Sequence, residues 1–186
     1  MEVALVAGQG GTAADGEARR DYGNTWQVVT QAAEGGMVLC ETATFDASSW
    51  EILGYRSRGH WRGLTQERGF AVRDGVVHLF RREGELDGAT CPSPVRYPRD
   101  VSFWVNDPST FSEATLQHVI RDTAGAGVDV EVFLLDEWQQ DEKMSRTYRI
   151  TYFSSVLAFT RQRANVCQFA LRNAIEDGLV KGATLR

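Results

Sequence analysis

Apolar positions recur along the chain with two periods, and the places where one gives way to the other mark its elements. The chain opens on an apolar run, Val-Ala-Leu-Val-Ala at the heart of Glu2 to Ala7, which predicts a strand covered on both faces. Gly8-Gln9-Gly10-Gly11-Thr12 follows at once. Glycines there bring backbone amides close to a ligand or serve only to turn the chain. The loop lacks the Lys-Ser/Thr ending of a phosphate-cradling loop and the spacing of a dinucleotide fingerprint. Asn24 stands as a helix N-cap, and Trp26, Val29 and Ala33 at helical spacing predict a helix from about Thr25 to Glu34, stopped by Gly35-Gly36. Met37 to Phe45 and Val76 to Phe80 read as further strands. Strand, helix, strand is the pattern of a parallel α/β layer.

Beyond Arg81 to Pro94, rich in Gly, Pro and charge, the pattern starts afresh. Tyr97-Pro98 leads into a strand ending at Val105, and Ser112 is placed to cap a helix over about 113–123 whose apolar face is Leu116, Val119 and Ile120. Gly125 and Gly127 end it. Val128 to Trp138 begins in strict alternation, Gln139 to Met144 is a polar turn, and Ser145 to Phe153 sets Tyr148, Ile150 and Tyr152 against Thr147, Arg149 and Thr151. That is a hairpin with one buried face. Thr160 caps a helix through about Glu176, with Val166, Phe169, Ala170, Asn173 and Ile175 around its buried side, and Leu179 to Leu185 supplies a last strand. The order β-α-β-β-α-β is the ferredoxin-like split unit, two helices on one face of a four-stranded antiparallel sheet.

Charge narrows the possible functions. The 186 residues carry a formal net charge of -5, which excludes nucleic-acid binding by bulk electrostatics and leaves local, shape-guided contact. Cys40, Cys91 and Cys167 form neither a disulfide framework nor a ligand spacing and read as buried free thiols, and His60, His78 and His118 show no metal-site spacing. No apolar run is long enough for a membrane helix and no secretory signal opens the chain. From Asp46 to Asp74, arginines interleave with rings: Trp50, Tyr55, Arg56, Arg58, His60, Trp61, Arg62 and Arg68. Such a segment suits RNA, with guanidinium on phosphate and rings on unpaired bases, or else it is an irregular surface loop whose aromatics cover a sheet edge.

Two resemblances follow from these stretches. Gly8-Gln9-Gly10-Gly11-Thr12, Asn24-Thr25-Trp26-Gln27-Val28-Val29, Ala32-Ala33, Gly54-Tyr55-Arg56-Ser57 and Val77-His78-Leu79-Phe80 resemble, in order, the C-terminal part of the Rossmann-like domain of large-subunit ribosomal RNA uridine methyltransferases. In a doubly wound methyltransferase the first strand, its glycine turn and a later acidic residue bind S-adenosylmethionine. Those parts precede the matching stretch, so the resemblance implies only the last three strands of the sheet, no cofactor and no catalytic residue. The exposed edge that results implies a covering neighbour, another protein chain or a large ribonucleoprotein.

Tyr97-Pro98-Arg99-Asp100-Val101-Ser102-Phe103-Trp104, Val119-Ile120-Arg121, Val130-Glu131-Val132, Leu135-Asp136-Glu137-Trp138 and Lys143-Met144-Ser145-Arg146-Thr147-Tyr148-Arg149-Ile150-Thr151-Tyr152, with a Leu185-Arg186 ending, resemble the ferredoxin-fold anticodon-binding domain of phenylalanyl-tRNA synthetases. The resemblance implies contact with structured RNA, tRNA or rRNA, through Arg99, Arg121, Arg146, Arg149 and Arg186, joined by Arg56, Arg58 and Arg62 of the earlier loop. Each arginine has an alternative as a fold-holding partner of Asp100, Asp136 or Glu137, because its fork fits carboxylate and phosphate alike.

The expected architecture is α+β: a partial α/β Rossmann-like layer over 1–83, a linker over 84–94, and a ferredoxin-like βαββαβ domain over 95–186. The expected function is non-catalytic RNA binding in a translation-related ribonucleoprotein, with mitochondria favoured over cytoplasm. The alternatives are an S-adenosylmethionine-dependent RNA methyltransferase completed by a missing segment or partner, and a protein-interaction scaffold. Synthetase activity is not expected, since a catalytic domain for ATP and an amino acid does not fit beside these two pieces.

Overall fold

The computed structural model describes residues 1–54, 74–141 and 143–186, which form two units, Met1–Ser93 and Pro94–Arg186. In the first, β1 (Glu2–Val6), β2 (Met37–Thr44) and β3 (Gly75–Arg82) make a sheet of order β1-β3-β2. β3 runs antiparallel to both neighbours. The parallel layer expected from strand, helix, strand thus takes another form: β1 and β2 point the same way, but β3 enters between them and reverses each pairing. Apolar periodicity reports burial and carries no sign of strand direction.

Helix α1 (Val28–Glu34) starts later than its spacing predicts, because Asn24 closes a short 3-10 turn, Tyr22–Asn24, and the cap is Gln27 in the left-handed conformation (φ 49°). Val28, Val29, Ala32 and Ala33 are buried, whereas Trp26 is 64% exposed. The chain leaves α1 through Gly36 at φ 73°, the glycine stop expected there. A short α2 (Ala47–Ile52), not anticipated, is capped by Asp46, whose carboxylate accepts the Ser48 amide at 3.1 Å.

The second unit holds β4 (Tyr97–Val105), α3 (Glu113–Ala124), β5 (Asp129–Gln140), β6 (Lys143–Phe153), α4 (Arg161–Glu176) and β7 (Ala183–Leu185). This is the βαββαβ order, in an antiparallel sheet arranged β5-β6-β4-β7. The predicted caps form: Ser112 Oγ accepts the Thr115 amide at 3.3 Å and Thr160 Oγ1 the Arg163 amide at 3.2 Å. Val101, Phe103 and Val105 of β4 and Tyr148, Ile150 and Tyr152 of β6 share one core with Leu116 and Ile120 of α3 and Leu171 and Ile175 of α4. Phe103 stacks on Tyr148 at 5.7 Å between ring centres. Both helices therefore lie on one face of the sheet, and the other face is open.

The buried side of α4 differs from the expected one. Ala164, Cys167, Gln168, Leu171, Ala174 and Ile175 face the core, while Val166 and Phe169 are 63% and 67% exposed. Both sets have helical spacing, and Gln168 is buried despite its amide because it accepts from the Tyr152 hydroxyl at 3.1 Å and donates to the Asp100 carbonyl at 3.2 Å. Chemical denaturation distinguishes the two faces: Leu171→Ala is expected to cost about 2–5 kcal/mol. Phe169→Ala is expected to stay within about 0.5 kcal/mol of the parent.

Candidate nucleic-acid interface

The pleat sends alternate residues of β4 and β6 away from the helices. Asp100, Ser102 and Trp104 of β4 and Ser145, Thr147, Arg149, Thr151 and Phe153 of β6 form the open face. Register sets Trp104 and Trp138 on either side of Ser145, Ser102 beside Thr147, and Phe133 and Asp100 on either side of Arg149. The two tryptophans meet edge to face at 5.9 Å and bury Ser145 to 3%. The bulge between Leu134 and Asp136 shifts β5 by one residue, which is what lets both Phe133 and Trp138 reach the open face. Phe133 is 57% exposed.

The guanidinium groups here are held by partners. Arg149 grips Asp100 with two bonds, Nε to Oδ1 at 2.8 Å and Nη2 to Oδ2 at 2.9 Å, and that contact lowers the Asp100 pKa below the usual carboxylate value. Arg96, which the sequence reading did not single out, pairs with Glu131 and lies 4.1 Å above the Phe153 ring. Arg186 follows β7, its amide bonded to the Ser102 carbonyl at 3.1 Å, and its guanidinium lies 5.2 Å over Trp104. Basic groups and rings therefore alternate along one surface.

The other predicted arginines are elsewhere. Arg99 points to the helix side, with Nε and Nη2 on Asn165 Oδ1 at 3.0 and 2.7 Å. Arg146 also leaves the open face: it bonds Glu137 at 2.6 Å and lies 5.3 Å over Phe111. Arg121 is exposed in the last turn of α3, where its charge complements the helix dipole. Arg56, Arg58 and Arg62 lie outside the described residues, as does most of the aromatic-basic loop around them. Of the eight, Arg149 and Arg186 come together on the open face. Trp104, Trp138, Phe133 and Phe153 were passed over; the available signal was that large rings occupy solvent-side positions of strands whose other side is already apolar.

The glycine loop of the first unit is closed from within. Asp15, 3% exposed, accepts the amides of Gly8 (2.9 Å), Gly10 (3.4 Å), Gly11 (2.8 Å) and Thr12 (3.0 Å) on its two oxygens. A side-chain carboxylate occupies the nest of amides that would otherwise suit an anionic ligand. Gly10 has no room for a Cβ, which would meet the His78 ring at 2.5 Å. His78 is fully buried, with Nε2 3.2 Å from Thr12 Oγ1 and Nδ1 3.3 Å from the Val3 carbonyl. Burial lowers its pKa, opposed by the Val3 contact and by Asp15. Among the described residues, no group of three or more His, Cys, Asp or Glu is placed to hold a metal, and no helix is long and apolar enough to cross a membrane.

No protein-family model matches the chain. Relatives do. Ferredoxin-fold anticodon-binding domain-containing protein 1 of Homo sapiens is 36% identical over 89 residues, which are 48% of this chain and 13% of that protein. Its Mus musculus homolog is 35% identical over 130 residues, 65% of this chain and 20% of that protein. The mitochondrial phenylalanine–tRNA ligase of Dictyostelium discoideum is 34% identical over 89 residues, 45% of this chain and 19% of the ligase. The chain thus spans no more than a fifth of the length of these relatives. The matches support a ferredoxin-fold anticodon-binding domain, in agreement with the element order of the second unit. None of the three is named for a methyltransferase.

The lowered pKa of His78 fixes the sign of a pH effect. The unfolded chain takes up a proton near the ordinary histidine value of about 6.5, before the folded one does. Stability from this residue is therefore complete above that value and declines as pH falls below it. Urea unfolding of the first unit, followed at pH 7.5 and 5.5, is expected to show a lower midpoint at 5.5. His78→Gln is expected to reduce that difference; an unchanged difference contradicts the assignment.

Proposed function

We propose that this chain is a non-catalytic RNA-binding protein that docks structured RNA, tRNA foremost, on the open face of its second sheet, as part of a translation-related ribonucleoprotein. The observation that carries this reading is the alternation there of rings with guanidinium groups: Trp104, Trp138, Phe133 and Phe153 with Arg149, Arg186 and Arg96. Unpaired bases stack on rings and on guanidinium planes, and a flat sheet presents several such platforms at strand spacing. The acidic average of the chain then limits long-range attraction, so recognition rests on splayed bases more than on phosphate charge. The anticodon-binding and tRNA-ligase names of the relatives favour tRNA over rRNA.

The first unit is read as the partial Rossmann-like layer of an RNA methyltransferase. That reading rests on the sequence motifs; in the sheet β1 and β2 point the same way with α1 in their connection, but β3 pairs antiparallel with each of them. Its Gly-Gln-Gly-Gly loop, with four amides on Asp15, is not proposed as a cofactor seat. The mitochondrial relative supports action in that organelle, which immunolocalisation of the native protein tests.

Filter binding with a tRNA transcript at low salt tests the main reading. Phe133→Ala and Trp138→Ala are each expected to weaken retention about 5- to 100-fold, as the loss of one stacked base does. Asp100→Asn, which releases the Arg149 fork, is expected to tighten it. The logarithm of affinity should fall with that of salt at a slope no steeper than about −2, the value for two to three phosphate contacts. Absence of retention at low salt overturns the reading.

A further inference from the structure

On the open face of the second sheet, rings and guanidinium groups recur at every fourth residue along the strands. One cluster sits where Ser145 of β6 lies between Trp138 and Trp104, with the Arg186 guanidinium over Trp104. Four residues further along β6, Arg149 lies between Phe133 and Asp100. Another four bring Phe153, which lies under Arg96. The rows between hold Asp136, Thr147 and Ser102, then Glu131, Thr151 and Pro98, and none of these carries an aromatic ring. In β5 the repeat survives only through the bulge: Trp138 and Phe133 are five residues apart, and the shift between Leu134 and Asp136 absorbs the extra one.

Each cluster offers a flat surface to solvent. Phe133 is 57% and Trp138 39% exposed, and Arg149 and Arg96 are half-exposed on bonds to Asp100 and Glu131 that fix their planes. Spacing then decides what the row can hold. At about 3.3 Å per residue, neighbouring clusters are about 13 Å apart. Bases laid flat on a sheet lie side by side, and an extended strand spaces them at about twice the 3.4 Å of stacked bases. One interval between clusters therefore takes up two nucleotide steps.

We propose, resting on the reading of this face as an RNA-binding surface, that it is a track for about five consecutive unpaired nucleotides, with the first, third and fifth bases stacked on the three clusters and the second and fourth unstacked. A shift of the strand by one nucleotide moves its bases off the rings and onto the small side chains of Ser102, Thr147, Thr151 and Pro98, so the strand has one register. A duplex is not a ligand of the track, because its bases are already stacked on one another. A single-stranded loop of a structured RNA supplies what the spacing requires. The track sets the length and phase of the bound strand and leaves its sequence open, since every base has a face to stack.

End-labelled oligouridylates of two to six nucleotides, titrated against the whole chain at low salt beside a tRNA transcript, supply the test. Affinity is expected to climb from two nucleotides to three and again from four to five, each time by about 5- to 100-fold, and to change little from three to four and from five to six. In the five-nucleotide strand, an abasic residue at the first, third or fifth position is expected to weaken binding by about the same factor. At the second or fourth position it should leave affinity within about twofold, the loss of no stacked base. In Phe133→Ala, the abasic residue at the third position should cost nothing further; Phe133→Leu serves the same purpose should the alanine variant fail to fold. Equal gains for every added nucleotide, or equal losses at all five positions, overturn the track. Retention of the tRNA without binding of any oligonucleotide overturns it as well and leaves the broader reading standing, whereas loss of both overturns the two together.

Discussion

Side chains of β4 and β6 alternate between the two faces of one pleated sheet, and both helices lie on the same face. Much of the second unit follows from that constraint. One parity, with Phe103 and Tyr148 stacked at its centre, is sealed in an apolar core. The other parity has no helix to cover it, so its rings and arginines become surface. A slip of β4 by one residue against β6 would turn β4 over, burying Asp100 and exposing Phe103 while Arg149 stayed on the open face without its partner. The core thereby holds the candidate interface in register without touching RNA.

Arginine is the ambiguous residue of this chain. Its fork suits carboxylates and phosphates alike, and the fold has already used several forks: Arg149 on Asp100, Arg146 on Glu137, Arg96 on Glu131, and Arg99 on the Asn165 amide. At the surface such pairs add little stability, but they hold guanidinium planes beside rings. Arg96, paired with Glu131, is ordered in this way over Phe153. Compensated charge explains how an acidic protein presents an aromatic-basic surface without general attraction for polyanions.

In the first unit the same logic acts inward. Four loop amides that would suit an anion converge on Asp15, and Gly10 is small because His78 lies against it. The loop braces the end of β1.

Much of the architecture was legible in the residues. Period-two alternation in Tyr148, Ile150 and Tyr152, the caps Ser112 and Thr160, and the glycine stops after α1 and α3 determined the kind and order of elements, since each depends on neighbours in sequence. Strand direction was beyond reach: burial of β1 and β2 reads the same whether β3 or another strand pairs with them. The buried side of α4 was also beyond reach, because Cys167, Gln168 and Leu171 compete with Val166, Phe169 and Ala170 at equal spacing and the Tyr152 hydroxyl and Asp100 carbonyl decide for Gln168. Arginine partners and the open-face rings fall in the same class. They bring together residues such as Asp100 and Arg149, or Trp104 and Trp138, that meet through sheet register alone. The sequence by itself determined the order of the elements apart from α2, through local periodicity and capping. The tertiary structure decided which face is open and which charges are taken, because those depend on contacts between distant segments that periodicity does not record.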